Sequence, residues 1–314
     1  MANTDWIRGV IRTTAAGAES VTGELLASGV IDSEIIDPTE FAQFNVTRMP
    51  ESGEDDIFVV FYVPADGAGR LQIKRIGDRL DYLSRLETDG PADMFAMTCA
   101  AVGDDVWERE WGGYFGTLRV GRIIIVPKRE KYDAAPGEVV FFLEPGDVFG
   151  TGRHQSTYSS IEALQYFLLP EYTVLDIGCG SGILSVIGLL LGADKAFACD
   201  IDDAAIEAAI NNAAANHIGA DRLTTRVGDP VRDAGLRGEI ERSPFDIVVS
   251  NIYADVLIEL APYVRKFVKP GGVWISSGIA AESADSVRAA YTRNGFNVVR
   301  EIIRGGWVTY TATP

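Results

Sequence analysis

Three glycines at alternate positions, Gly178, Gly180 and Gly182, follow an apolar, β-prone run, residues 173–177, with a carboxylate, Asp176, near its end. A helix-compatible apolar run, residues 183–191, comes next. The order is that of a buried parallel strand, a tight turn and a helix start. Glycines let a ligand press against the backbone, and the amides of a first helical turn favour a polar or anionic group. A second β-like run, 195–199, leads to Asp200. A carboxylate at the end of the second strand is placed to accept hydrogen bonds from ribose hydroxyls. The chemistry on offer is the holding of a nucleoside-bearing ligand. A glycine turn with no ligand is the plain alternative, and the strand, turn, helix, strand, acid order argues against it.

A nicotinamide dinucleotide site wants G-x-G-x-x-G. Position 183 is Ile, so the spacing does not fit. The pattern D-x-G-x-G-x-G resembles the first motif of the seven-stranded, S-adenosylmethionine-dependent methyltransferases. Further motifs follow in the same order. Asp200, with Ile201 beside it, matches their ribose acid. Gly228-Asp229, after the β-like run 223–227, matches their adenine-edge acid. Phe245-Asp246-Ile247-Val248-Val249-Ser250-Asn251 matches the fourth strand, and Lys269-Pro270-Gly271-Gly272 the turn into the fifth. The resemblance implies a doubly wound, Rossmann-like seven-stranded domain. It also implies that S-adenosylmethionine is held by Asp176, Gly178, Gly180, Gly182, Asp200, Ile201 and Asp229.

These motifs need elements to position them. The helices that alternate with the strands are expected at 204–216, 256–268 and 280–294, with strands at 245–250 and 273–277. A closing hairpin is expected from 298–304 and 307–311 around Gly305-Gly306. Ahead of the glycine motif, two strands are expected at 120–127 and 139–143. The chain of 314 residues has room for two domains. Its first part reads strand 6–12, helix 15–28, strands 31–36 and 57–63, helix 76–86 and strand 94–102. That is the order of a ferredoxin-like α+β sandwich, with an acidic turn at 51–56. The expected division is a substrate-recognition domain at 1–103, an interdomain segment at 104–118 and a methyltransferase domain at 119–314. In the middle segment, Asp105 is expected to cap a short helix with Trp107 and Trp111 on one face.

Composition sets limits on class. Hydrophobic residues make up 47% and charged residues 23%, the balance of an ordinary globular chain. The formal charge of −17 disfavours nucleic acid and favours a basic partner. No apolar run is long enough for a membrane span, and residues 1–6 lack the pattern of a secretory signal. Cys99, Cys179 and Cys199 are too few and too scattered for a disulfide framework or a metal site. A reducing, cytoplasmic setting, a monomer and no metal are expected.

The segment 144–157, Glu-Pro-Gly-Asp-Val-Phe-Gly-Thr-Gly-Arg-His-Gln-Ser-Thr, leads into a helix expected at 157–169 and precedes the first core strand. It is placed to fold over the methionine end of the ligand. Here the resemblance narrows. The segment looks like the signature of the PrmA family, the methyltransferases of ribosomal protein L-eleven. Trp107 to Trp111 followed by Tyr114-Phe115, Asn251-Ile252-Tyr253-Ala254, and Ser277-Gly278-Ile279 are similar to other segments of that family. Arg153, Gln155 and Tyr253 stand where the family has Thr, Pro and Leu. The resemblance implies that Phe149, Gly150, Thr151, Gly152 and Asn251 join the cofactor set, and that lysine amines of a ribosomal protein, with its N-terminal amine as a further candidate, receive the methyl groups.

Asn251 is the expected acceptor-site residue, because it lies at the carboxyl end of a central strand, where such sheets bind ligands. Its amide oxygen can accept a hydrogen bond from an amine. A general base is optional, since desolvation and a neighbouring sulfonium both favour a neutral amine. His154 is expected to anchor the loop, and Cys179 and Cys199 to be core. Two other readings stay open: methylation of another protein's lysine or of a small amine, and a non-catalytic module that only binds the cofactor.

Overall fold

The computed structural model describes residues 6–30, 33–36, 57–86, 95–102, 117–128, 130–144 and 154–314. The chain divides into two compact units, Met1–Gly116 and Thr117–Pro314.

In the first unit, β1 (Trp6–Thr13), α1 (Ala15–Ala27), β2 (Ser33–Ile36), β3 (Ile57–Pro64), α2 (Gly67–Leu86) and β4 (Ala96–Val102) follow in order. The sheet runs β2-β3-β1-β4, and each neighbouring pair is antiparallel. This is a split βαβ arrangement. Ile11, Val59, Phe61 and Val63 bury one face against Val21 and Leu25 of α1 and Ile76 and Leu80 of α2. Gly9 makes room for that packing, since a Cβ there would lie 2.2 Å from the Phe61 ring. Helix α2 begins nine residues before the expected 76. Its start at Gly67 is fixed by Asp66, whose Oδ1 accepts from the Gly69 amide at 2.8 Å. The acidic turn at 51–56 and the tryptophan segment 104–111 lie outside the described residues.

The second unit opens with a three-stranded sheet, β5 (Leu118–Val120), β6 (Ile123–Pro127) and β7 (Val139–Leu143). The single strand expected at 120–127 is thus two strands of a hairpin. Gly121, at φ +59°, turns the chain, and Gln165 seals the turn by accepting from Arg122 N at 3.0 Å and donating to Val120 O at 2.9 Å.

The main sheet contains β8 (Thr173–Ile177), β9 (Lys195–Asp200), β10 (Leu223–Val227), β11 (Phe245–Asn251), β12 (Val268–Ala280), β13 (Asn297–Arg304) and β14 (Trp307–Thr313). Its order is β10-β9-β8-β11-β12-β14-β13, and β14 alone runs antiparallel to its neighbours. The helices are α3 (Gln155–Phe167), α4 (Ile183–Leu190), α5 (Asp203–Ala215), α6 (Ala234–Glu241), α7 (Ala254–Phe267) and α8 (Ala284–Arg293). Helix α6, capped by the Asp233 side chain, was not expected from the sequence. The turn expected at 269–272 lies inside β12, as a bulge where the register with β11 shifts.

The central strands alternate between two cores. Val174 of β8 and Ile247 and Val249 of β11 face one, while Leu175, Ile177 and Val248 face the other. Both faces are covered by helices, which explains the nearly continuous apolar runs. No helix among the described residues is long and apolar enough to cross a membrane.

Candidate active site

The site is built along the carboxyl edge of β8, β9, β10 and β11. Gly178, Gly180 and Gly182 sit at φ +74°, +51° and +73°, a conformation side chains resist. The turn is tied to the second strand. Gly178 N and Cys179 N both donate to Cys199 O, at 2.8 and 3.1 Å, and Gly182 N donates to Cys179 O at 2.8 Å. Gly180 N donates to Asp200 Oδ2 at 2.9 Å, and Asp200 Oδ1 accepts from Asp202 N at 3.1 Å. Each carboxylate oxygen has a second lone pair for a ligand hydroxyl. Gly228 N donates to Asp200 O at 2.7 Å, which joins the β10 end to the same cluster. Asp229 follows it, accepting from Val231 N at 2.8 Å and lying 3.7 Å from the Arg232 guanidinium.

Asp176 lies beneath the turn. Its Oδ2 accepts from Ser185 Oγ at 2.6 Å and from Ser185 N at 3.1 Å. Its Oδ1 is buried and has no hydrogen-bond partner among the described residues. Burial pushes its carboxyl up to about 7, against the pull of the Ser185 bonds and with Asp200 adding to the rise.

Asn251 ends β11. Its Nδ2 donates to Thr157 Oγ1 of α3 at 3.0 Å, and its Oδ1 is buried without a partner among the described residues. Tyr253, two residues on, occupies the N-cap position of α7, makes no side-chain cap bond and is exposed. Around Thr157 runs a chain of buried hydroxyls. Ser277 Oγ donates to Ser156 O at 3.1 Å and meets Thr309 Oγ1 at 2.5 Å. His154 caps α3, its Nδ1 accepting from Ser156 N at 3.3 Å and bonding Ser156 Oγ at 2.6 Å. Its ring meets Trp307 edge-on at 4.7 Å, and burial lowers its pKa to about 4, so the imidazole is neutral. This is an anchoring geometry. Cys179 and Cys199 are buried, their thiols pushed up by burial, and they belong to the core.

The structure therefore brings Asp176, Gly178, Gly180, Gly182, Asp200, Asp229 and Asn251 to one edge of one sheet. Ile201 stands there too, 78% exposed, with Val227 at 48%. Large apolar side chains left open beside acids suit a flat ring. The unpaired oxygens of Asp176 and Asn251 suit N–H donors. A nucleoside with an ammonium-bearing tail matches this set of groups. Phe149, Gly150, Thr151 and Gly152 lie outside the described residues. Sequence reasoning missed Thr157 and Ser185. Ser185 had a signal, its place in the first turn of the helix after the glycines. Thr157 had only its place at the end of the glycine-rich segment.

The profile of the family described as ribosomal protein L11 methyltransferase (PrmA) matches residues 5–313. The ribosomal protein L11 methyltransferase of Lachnoclostridium phytofermentans is 33% identical over 330 aligned positions, spanning 98% of each chain. That of Listeria monocytogenes is 32% identical over 313 positions, spanning 97% of each. A crystal structure of the ribosomal protein L11 methylase from Lactobacillus delbrueckii subsp. bulgaricus superposes with a TM-score of 0.57 at 28% identity. It covers 63% of this chain and 97% of its own. A match over nearly the whole length, on a chain whose glycine turn, strand-end acids and strand-end asparagine share one sheet edge, means that this chain belongs to the ribosomal protein L11 methyltransferase (PrmA) family.

Proposed function

We propose that the protein transfers methyl groups from S-adenosylmethionine to amines of ribosomal protein L11, lysine side chains first, and that Asn251 aims the amine. The observation that carries this reading is the buried Oδ1 of Asn251, at the same sheet edge as the glycine turn and without a partner among the described residues. S-adenosylmethionine supplies an activated methyl on a sulfonium when bound. In the transfer, the amine lone pair forms the new N–C bond, the C–S bond breaks with its electrons to sulfur, and the amine then loses a proton.

The chain's own part is positioning. Asp200 and Asp229 hold the nucleoside, the glycine turn admits it against the backbone, and Asp176 faces its ammonium end. Asn251 Oδ1 accepts a hydrogen bond from the incoming amine and turns the lone pair toward the methyl. Thr157 supports that orientation by taking the other side of the amide. Neutral His154 keeps α3 in place and moves no proton. We read residues 149–152 as completing the cofactor site and the N-terminal unit as the grip on the protein substrate. The protein works in the cytoplasm as a monomer, and its three free cysteines suit a reducing setting. The test is mass spectrometry of ribosomal proteins from a strain lacking this protein. L11 is expected to lose its methyl groups and regain them on incubation with purified enzyme. Unchanged L11 with loss of methylation on another protein would overturn the substrate.

A further inference from the structure

Asn212 of α5 and Asn216, the residue that caps its C-terminus, are 2% and 7% exposed and are bonded on both sides of their amides. Among the described residues, strand β7 is paired with one strand, β6. On its other edge, Phe142 N donates to Asn216 Oδ1 at 2.7 Å, and Asn216 Nδ2 donates back to Phe142 O at 2.7 Å. Glu144 N donates to Asn212 Oδ1 at 2.8 Å. The match is geometric. Residues four apart on a helix rise by about 6 Å, and residues two apart on a strand by about 6.6 Å. Side-chain amides one helical turn apart thus stand in for a neighbouring strand.

The two amides differ in their remaining bond. Asn212 Nδ2 reaches Ser181 O, inside the glycine turn, at 2.8 Å. Ala209, three residues earlier on α5, presses on the same turn, so closely that a Cβ at Gly182 would lie 2.6 Å from its Cβ. Asn216 spends its second N–H on Asn212 O, at 2.8 Å within its own helix.

From this we infer that Asn212 is a positioning residue of the cofactor site, clamping the glycine turn at Ser181 to the end of β7 at Glu144, whereas Asn216 serves β7 alone. The inference rests on the reading of the glycine turn as the cofactor site. Removing the Asn212 amide takes away the donor to Ser181 O and the acceptor for Glu144 N, one in each of the two segments that form and precede that site.

Three variants separate the roles. Asn212→Ala removes both bonds. Asn212→Asp keeps the size and the acceptor for Glu144 N but loses the donor to Ser181 O, and it covers the case in which the alanine variant does not fold. Asn216→Ala removes the β7 bonds and the bond to Asn212 O, and leaves both side-chain bonds of Asn212 in place. Calorimetric titration with S-adenosylmethionine is expected to show affinity at least tenfold weaker in both Asn212 variants and within twofold of wild type in Asn216→Ala. Amide hydrogen exchange across residues 178–182 of the free proteins is expected to quicken at least tenfold in the Asn212 variants and to stay within twofold in Asn216→Ala. Unchanged exchange in the Asn212 variants, or equal quickening in Asn216→Ala, would overturn the inference. If wild type does not bind S-adenosylmethionine, the reading of the site fails, and the exchange measurement still judges the clamp.

Discussion

Asn251 spends one side of its amide on Thr157 and leaves the other buried, with no partner among the described residues. An unpaired buried oxygen costs free energy in the free protein, which a ligand N–H recovers. If that N–H belongs to the substrate amine, Asn251→Ala should leave S-adenosylmethionine affinity within a few-fold of wild type. Single-turnover methylation should fall about 100-fold, the scale of a small misplacement of reacting groups. Wild-type turnover at saturating cofactor and substrate would reduce Asn251 to a strand-end residue. Asp176 allows a second prediction, in stability. Burial pushes its folded carboxyl up to about 7, from an ordinary value of 3.8. Between those values the folded chain holds a proton that the unfolded chain has released, so stability falls as the pH rises through that window and stays lowered above it. Asp176→Asn removes this titration. The melting temperature of the variant relative to wild type should therefore rise by several degrees from pH 5 to pH 8, at about 2–4 °C per kcal/mol for a domain of this size. A constant difference would place the ionisation elsewhere. The acids and glycines were legible in the sequence because the strand, turn and helix that place them are local. The Thr157–Asn251 bond joins residues 94 apart, and no local pattern marks it.

The glycine turn works as an element only because its backbone is left-handed at three alternate positions. Gly182 is hemmed in by the helix beside it, being at φ +73° and with an added Cβ 2.6 Å from Ala209 Cβ. The left-handed penalty is about 1–2 kcal/mol, and overpacking adds about 1–3 kcal/mol. Gly182→Ala should lower unfolding free energy by at least about 2 kcal/mol in urea and weaken cofactor binding with it. An unfolding midpoint equal to wild type would show that α5 moves aside freely. At this scale the parallel strands were legible, because β8 and β11 are largely buried and read as nearly continuous apolar runs. The same rule misled at 120–127, where the apolar run continues through Gly121-Arg122 and a turn sealed from a distant helix by Gln165. Helix α6 was missed because two of its eight positions, Leu236 and Ile240, are buried, and that spacing is too thin to show as a periodic stripe.

Every described residue assigned to the cofactor or to the amine lies in Thr117–Pro314, a unit with its own two cores. Met1–Gly116 has a separate core around Phe61 and Ile76, and its described residues hold none of that chemistry. A unit that buries its own apolar surface is expected to fold alone. A chain starting at Thr117 should therefore unfold cooperatively and bind S-adenosylmethionine within a few-fold of the full protein. Its use of the protein substrate should differ. A lysine ammonium alone offers three N–H donors and one charge, too little to distinguish one protein from many. Contacts made far from the reacting amine supply the binding energy that orders it at the methyl. If the N-terminal unit provides them, kcat/KM for intact L11 should fall by about 100-fold or more in the shortened chain, on the scale by which lost positioning slows a reaction. Transfer to a short lysine peptide at high concentration should be nearly unaffected. Equal turnover of intact L11 by the two chains would mean that Thr117–Pro314 recognises the protein by itself, and the search for the grip would move to the exposed start of α7 around Tyr253 and Val256.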